Sequence, residues 1–234
     1  MSTSPAGLKW ELGRHALFGS FTEAELDTLV SVGTVRVYRV RQALFHEGDE
    51  GGSMFVLLTG RVKVSAYSAA GKECVLSLAG PGEVLGEITL LDGGPRTASG
   101  LAIEDTRALC LARKDFLPVL EKNPAAALHI IAVLCERLRN TSRLVEDTAF
   151  LAAGPRLARA LLRLLGAHGT QGDDGAWRLD MNLSQTTLGA HVGLMRESVN
   201  RQLRAWQDEG VILSEASGLK VLNREGLERI AELE

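Results

Sequence analysis

The sequence predicts an α+β chain built in three parts: a small, jelly-roll-like β-roll, one long helix, and a C-terminal helix–turn–helix with a β-hairpin wing. Three observations predict it. Between Thr34 and Leu111, short β-branched and apolar runs alternate with turn residues, as in a small roll or barrel. From Ala125 onward, apolar residues recur at helical spacing for more than five turns. From Ser184 to Gly210, two short amphipathic segments flank Gly193. Expected boundaries are 1–123 for the roll domain, 124–150 for the long helix and hinge, and 151–234 for the C-terminal domain.

Thr22-Glu23-Ala24-Glu25 is a capping box that opens a short helix through Val30. Val35, Val37 and Val40 belong to a first strand. Met54–Leu58, Val62–Tyr67, Cys74–Leu78 and Ala108–Leu111 are the strands that follow, separated by turns at Glu47–Gly51, Thr59-Gly60, Ala70-Gly71 and Glu104-Asp105. A helix beginning near Asp115 is interrupted around Pro124. In the long helix Leu128, Ile131, Cys135, Leu138, Ser142 and Val145 are spaced 3, 4, 3, 4 and 3 residues apart. That spacing fits the seam of a two-stranded coiled coil and also a single-chain core helix; the length favours pairing with a second copy. Thr148–Pro155 reads as a hinge, with Pro155 in the first turn of a helix through Leu165. Gly166–Ala176 reads as an exposed loop before a strand at Trp177–Leu179.

Composition narrows the function classes. At 234 residues and 45% hydrophobic content the chain suits one large or two ordinary globular domains. A net charge of −3 leaves any nucleic-acid contact to a local patch. No apolar run reaches the ~18 residues of a membrane span, and Met1–Leu12 lacks the apolar segment of a signal peptide. Cys74, Cys110 and Cys135 are far apart and read as buried free thiols of a reducing cytoplasm. The five histidines are dispersed, so neither metal nor haem is expected. No nucleophile–base pair or paired carboxylates stand out, so catalysis is not expected.

Two stretches carry chemistry. In residues 80–99 glycine and proline punctuate a one-turn segment, Glu87–Leu91, followed by Arg96 and Thr97. Glycine allows close backbone approach; a guanidinium fork and a hydroxyl suit a phosphate. Glu87 would repel a bare phosphate, yet it can accept from a sugar hydroxyl on the same ligand. Together these groups describe a singly charged sugar phosphate. A glycine-rich turn with a solvated arginine is the alternative.

The second stretch is 183–213. Ser184 can cap a helix over Gln185–Val192, and a second helix runs from Arg196 to Asp208. Val199, Leu203 and Trp206 form its inward stripe, and Arg196, Glu197, Asn200, Arg201 and Arg204 its outward face. Such a face can read base edges, with arginine on guanine and a carboxylate on cytosine. Ser184 and Thr186 are placed to bond phosphates. The net charge of residues 180–206 is only +1, so placement rather than electrostatics supports DNA binding. Val211–Leu213 and Lys220–Leu222 flank a turn at Gly218 as a wing, and a terminal helix runs from Asn223 to Glu234.

The order Gly86-Glu87-x-x-x-Leu91 followed by Pro95-Arg96-Thr97-Ala98 resembles the phosphate-binding cassette of cyclic-nucleotide-binding domains. Val192–Arg201 resembles the turn and recognition helix of the cyclic-AMP receptor/fumarate-nitrate reduction regulator family. With a dimer helix between them, the likeness runs from about Leu17 to Leu222. It implies a homodimeric bacterial transcription regulator of the cytoplasm that binds double-stranded DNA at a palindromic operator and meets RNA polymerase. It implies a cyclic-nucleotide pocket of Val64, Ser77, Leu85, Gly86, Glu87, Ile88, Arg96, Thr97, Ala98, Arg137, Leu138, Thr141 and Ser142. In it Gly86 and Glu87 hold the ribose hydroxyl, Arg96 and Thr97 the cyclic phosphate, and Thr141 and Ser142 the base. DNA contacts are implied for Ser184, Gln185, Thr186, Arg196, Glu197, Ser198, Asn200 and Arg201. Thr141-Ser142 resembles the adenine-binding pair and favours cyclic AMP. Thr97 raises cyclic GMP, and cyclic di-GMP comes third. A regulator of this fold that needs no effector is the remaining alternative. Met195 departs from the pattern, because relatives usually carry Ser or Thr there as the helix cap.

Overall fold

The computed structural model describes residues 5–13, 18, 19, 21–172, 174–181, 183–215 and 218–233; Leu17 lies outside them. The chain divides into two compact units: Met1–Ala66 with Leu76–Arg139, and Tyr67–Val75 with Asn140–Glu234.

In the first unit α1 (Pro5–Gly13) and α2 (Glu23–Val32) precede strands β1 (Thr34–Tyr38), β2 (Ala43–Phe45), β3 (Ser53–Thr59), β4 (Val62–Tyr67), β5 (Glu73–Ala79), β6 (Val84–Leu85), β7 (Ser99–Ala102) and β8 (Thr106–Ala112). Helix α3 (Glu87–Asp92) lies between β6 and β7, and α4 (Arg113–Lys122) and α5 (Pro124–Phe150) follow β8, α5 passing into the second unit at Asn140. The strands form two four-stranded sheets, ordered β1-β8-β3-β6 and β2-β7-β4-β5. This is the expected roll. The short strands β2, β6 and β7 complete it; at three, two and four residues they leave too little alternation to be seen in sequence. Val40 lies beyond β1, in a turn where Arg41 takes φ +70° and its N–H donates to the carbonyl of Ala102.

Period-2 alternation on β3 explains two cores at once. Phe55 and Leu57 join Tyr38, Phe45, Val62, Val64, Leu85 and Ala108 inside the roll. Met54 and Val56, on the other face, pack with Leu109, Leu111, Phe116, Ile130 and Leu29 beneath the helices. Each large apolar side chain buried in this way contributes on the order of 2 kcal/mol. The capping box is present in full: the Thr22 side chain accepts from the backbone of Glu25, and Glu25 accepts from the backbone of Thr22.

Helix α5 is continuous over 27 residues. Its predicted stripe is exposed: Leu128 67%, Ile131 54%, Leu138 68% and Val145 63%. The three cysteines are not buried as their apolar sequence neighbours predict. Cys74 and Cys135 are exposed and Cys110 half-buried, because Cys135 sits on this uncovered stripe and Cys74 near the start of the edge strand β5.

The expected hinge is also shorter than Thr148–Pro155. Helix α5 runs through Phe150, and α6 (Ala153–His168) starts after Leu151 and Ala152. Arg156 shortens the break by donating to the carbonyls of Thr148 and Leu151. Asp147, 3% exposed, accepts from Arg159 at 3.3 Å and Arg163 at 2.7 Å. Removing one partner of such a buried group leaves a charge uncompensated.

The rest of the second unit holds β9 (Thr170–Gln171), β10 (Trp177–Leu179), α7 (Gln185–Val192), α8 (Arg196–Asp208), β11 (Ile212–Glu215), β12 (Gly218–Val221) and α9 (Arg224–Ala231). Its sheet is ordered β11-β12-β10-β9, so the expected loop at 166–176 contains the end of α6 and strand β9. Gly218 belongs to β12 rather than to a turn, since it pairs with Glu215; Ala216 and Ser217 lie outside the described residues. Leu157, Leu161, Leu165, Leu188, Val199, Trp206, Ile212 and Leu227 are buried together in this unit.

Candidate functional site

Within the first unit a cleft of roughly 310 Å³, partly open to solvent, is lined by Phe45, Val64, Leu85, Gly86, Glu87, Ile88, Thr89, Arg96, Thr97, Ala98 and Arg137. The turn after β6 creates it. Gly86 takes φ +79° as the cap of α3, a region that disfavours any side chain. A Cβ there would also collide with Nη1 of Arg96.

Arg96 is 5% exposed and inside the roll. Nη1 donates to Thr89 Oγ1 at 2.8 Å and to the Gly86 carbonyl at 3.2 Å. Nη2 donates to the Ser53 carbonyl at 2.7 Å and Ser53 Oγ at 3.2 Å. The guanidinium lies over Phe45, 4.8 Å from the ring centroid, and 5.5 Å from that of Phe55. Burial lowers its pKa from the ordinary guanidinium value; an anion in the cleft would offset that cost.

Glu87 is 1% exposed, and its Oε1 accepts from Arg137 at 2.6 Å. Arg137 also donates to the carbonyl of Val84, which ties α5 to strand β6. Among the described residues, two buried atoms on the cleft lining have no hydrogen-bond partner: Nε of Arg96 and Oε2 of Glu87. One is a donor beside a permanent positive charge, the other a carboxylate acceptor. An unmade buried hydrogen bond costs about 1–3 kcal/mol, so a ligand offering an anionic oxygen and a hydroxyl complements the pair. Arg96, Arg137 and Glu87 are the cleft's ionisable groups and leave one net positive charge.

Nine of the predicted pocket residues thus line one cleft. Ser77, half-buried in β5, and Leu138, exposed on α5, do not line it. Thr141 and Ser142 are exposed on α5, in the part of that helix belonging to the second unit. Sequence reasoning missed Phe45, Thr89 and Ser53. An aromatic residue just before the Glu47–Gly51 turn was the available signal for Phe45; Thr89 stood inside the quoted cassette.

In the second unit the Ser184 side chain caps α7 by accepting from the Thr187 N–H at 3.0 Å. Gly193, at φ +69°, turns the chain into α8. Val199, Leu203 and Trp206 are buried, while Arg196, Glu197, Arg201 and Arg204 are exposed. Among the described residues none of these three arginines is ion-paired. Thr186 is exposed; Gln185, Ser198 and Asn200 are half-buried. Gln185 Nε2 lies 3.4 Å from Asn200 Oδ1. Met195 occupies the cap of α8 without a side-chain hydrogen bond and is 77% exposed.

Among the described residues no group of three or more His, Cys, Asp or Glu is placed to hold a metal, and no single helix is long and apolar enough to cross a membrane.

A roll with a buried arginine–glutamate cleft, followed on one chain by a winged helix–turn–helix, defines a class: regulators that join a small-molecule domain to a DNA-binding one. A family profile described as "Cyclic nucleotide-binding domain" matches residues 35–123, and one described as "Crp-like helix-turn-helix domain" matches residues 155–230. The chain is 34% identical over 215 residues to the cyclic AMP receptor protein of Thermus thermophilus, covering 92% of this chain and 96% of that protein. It is 32% identical over 188 residues to the CRP-like cAMP-activated global transcriptional regulator of Mycobacterium tuberculosis, covering 80% and 84%. The structure of FixK2 from Bradyrhizobium japonicum superposes with a TM-score of 0.77 at 22% identity, covering 87% of this chain and 99% of that one, a likeness of fold. The chain belongs to the CRP/FNR family, and it is a DNA-binding transcription regulator with a cyclic-nucleotide-binding domain.

Proposed function

We propose that the chain is a homodimeric, sequence-specific transcription regulator switched by a cyclic mononucleotide, with cyclic AMP as the effector. The observation that carries the reading is the pair of orphaned buried atoms, Arg96 Nε and Glu87 Oε2, in a cleft with one net positive charge. A cyclic phosphate bears one negative charge and a ribose beside it bears one free hydroxyl. In this reading Arg96 and Thr97 receive the phosphate and Glu87 the hydroxyl. Glu87 is already fixed through Oε1 by Arg137. Val64, Leu85, Ile88 and Ala98 supply the apolar walls. Thr141 and Ser142 serve the base. Cyclic AMP is also what the names of both sequence relatives report for those proteins. Thr97, exposed beside Arg96, favours cyclic GMP as the second reading, with cyclic di-GMP third.

The exposed α5 stripe supports a second copy as its cover, because four large apolar residues on one helix face otherwise remain in water. Pairing through α5 would present two copies of α8 to successive major grooves, about 34 Å apart, and so select a palindrome. Arg196, Glu197, Asn200 and Arg201 would read base edges; Ser184, Gln185, Thr186 and Ser198 would set register on the backbone. The ligand acts by binding one arrangement of the dimer better, which shifts its population. RNA polymerase is the partner through which such a regulator acts on transcription.

Operator selection from random duplexes tests the whole reading. Recovery of one palindrome, with binding strengthened by cyclic AMP, is the expected result. Equal binding with and without each of the three nucleotides would leave an effector-independent regulator.

A further inference from the structure

We propose that Thr89 is a positioning residue that holds the phosphate-binding fork of Arg96 open toward the ligand. The inference rests on the cyclic-nucleotide reading above and adds a residue to it. A guanidinium carries five N–H donors, arranged as an end-on fork (Nη1 and Nη2) and a side-on fork (Nε and Nη2). Nη1 is the corner remote from the side-on fork. It donates to the Gly86 carbonyl at 3.2 Å and to Thr89 Oγ1 at 2.8 Å. Thr89 Oγ1 in turn donates to the same Gly86 carbonyl at 3.1 Å, which closes a triangle around Nη1. The side-on fork is left with Nε, buried and without a partner, and with Nη2, whose contact to Ser53 Oγ at 3.2 Å is the long one of its two.

The triangle therefore fixes the plane of the guanidinium without occupying the edge a phosphate would use. Thr89 cannot drift away. It is 2% exposed, and it lies so close to Gly51 that a Cβ there would stand 2.6 Å from its Oγ1. Stacking of the guanidinium on Phe45 restrains tilt but not rotation in its own plane; the Thr89 hydroxyl, on the Nη1 corner, adds to the in-plane restraint that the Gly86 and Ser53 carbonyls also give. Phosphate affinity then depends on a hydroxyl that never touches the phosphate, because a pre-set fork loses less freedom on binding.

Full-length wild type, Thr89→Val, Thr89→Ser and Arg96→Lys are titrated calorimetrically with cyclic AMP and cyclic GMP, and their ligand-free melting is recorded. Thr89→Val keeps the shape and removes the hydroxyl. It is expected to weaken binding on the order of tenfold, the scale of a hydrogen bond to a charged group. Thr89→Ser is expected to stay within about threefold of wild type by the same scale. Combining Thr89→Val with Arg96→Lys should add less than a further twofold loss, since a lysine has no fork to orient. Should the valine variant not fold, Thr89→Cys, of similar size and a weak acceptor, takes its place with the same expectation. Unchanged or tighter binding in Thr89→Val overturns the assignment, as does an equal loss in the Arg96→Lys background. A wild type that binds neither nucleotide defeats the cyclic-nucleotide reading and this inference with it. If Arg96→Leu abolishes binding while Thr89→Val retains it, only the role of Thr89 is lost.

Discussion

The two functional regions handle charge in opposite ways. In the cleft, Arg96 and Glu87 are 5% and 1% exposed; Ser53, Gly86, Thr89 and Arg137 hold Nη1, Nη2 and Oε1, while Nε and Oε2 are left for a ligand. On α8, Arg196, Glu197, Arg201 and Arg204 stand in water over a buried stripe of Val199, Leu203 and Trp206. A small ligand must be recognised by a few groups, so they are desolvated and pre-aimed, and each counts heavily. A duplex is recognised by many exposed groups, each adding a little and each screened by salt. Single substitutions in the cleft should therefore have large effects on ligand binding. Those on α8 should affect DNA alone.

Arg96→Leu carries the largest expected effect. It removes the cleft's buried cation and should abolish measurable cyclic-nucleotide binding while the dimer persists in sedimentation, since leucine suits a site against the rings of Phe45 and Phe55. Retained affinity would erase the contrast drawn above. Next comes the α5 stripe: Leu138→Glu places a charge on the proposed seam and should convert dimer to monomer at micromolar concentration. Oxidative cross-linking through the exposed Cys135 of wild type gives an independent check, with a covalent dimer expected. Arg196→Ala should weaken operator binding by ~1–3 kcal/mol and leave binding to random duplexes nearly unchanged. An equal loss on both would make Arg196 a phosphate contact. Its melting temperature should not move, because exposed substitutions of this kind stay within about 0.5 kcal/mol. The smallest effect is a gain: Met195→Ser supplies the absent cap of α8 and should stabilise the second unit by about 1 kcal/mol in thermal melting.

Legibility in the sequence followed the same divide. Local rules found what local interactions build. The Thr22 box, the Ser184 cap, both ends of α7 and α8, and the full extent of β4 follow from capping residues, Gly193 and alternation. Long-range packing was less visible. Strand β7 contains Gly100, which a pattern search treats as punctuation, although its lack of a side chain admits the ring of Phe45. The hinge reads as longer in sequence because Gly154 and Pro155 interrupt the helical pattern, whereas Arg156 and buried Asp147 hold both helix ends through contacts 5 to 16 residues apart. In the cleft the charged members were legible because arginine and glutamate among glycines are conspicuous. Ser53 and Thr89 were not, since nothing in a small hydroxyl residue announces that a distant arginine will find it. Cysteine burial was misjudged for a related reason: an apolar neighbourhood in sequence said nothing about whether a second chain is needed to cover it.

The central claim, that a buried arginine and glutamate in the roll receive a cyclic mononucleotide, is tested most directly by calorimetric titration of the full-length protein with cyclic AMP. The account predicts saturable binding of one nucleotide per chain in wild type and none in Arg96→Leu. Absence of heat and of competition by cyclic AMP, cyclic GMP and cyclic di-GMP in a correctly folded wild-type dimer would contradict it.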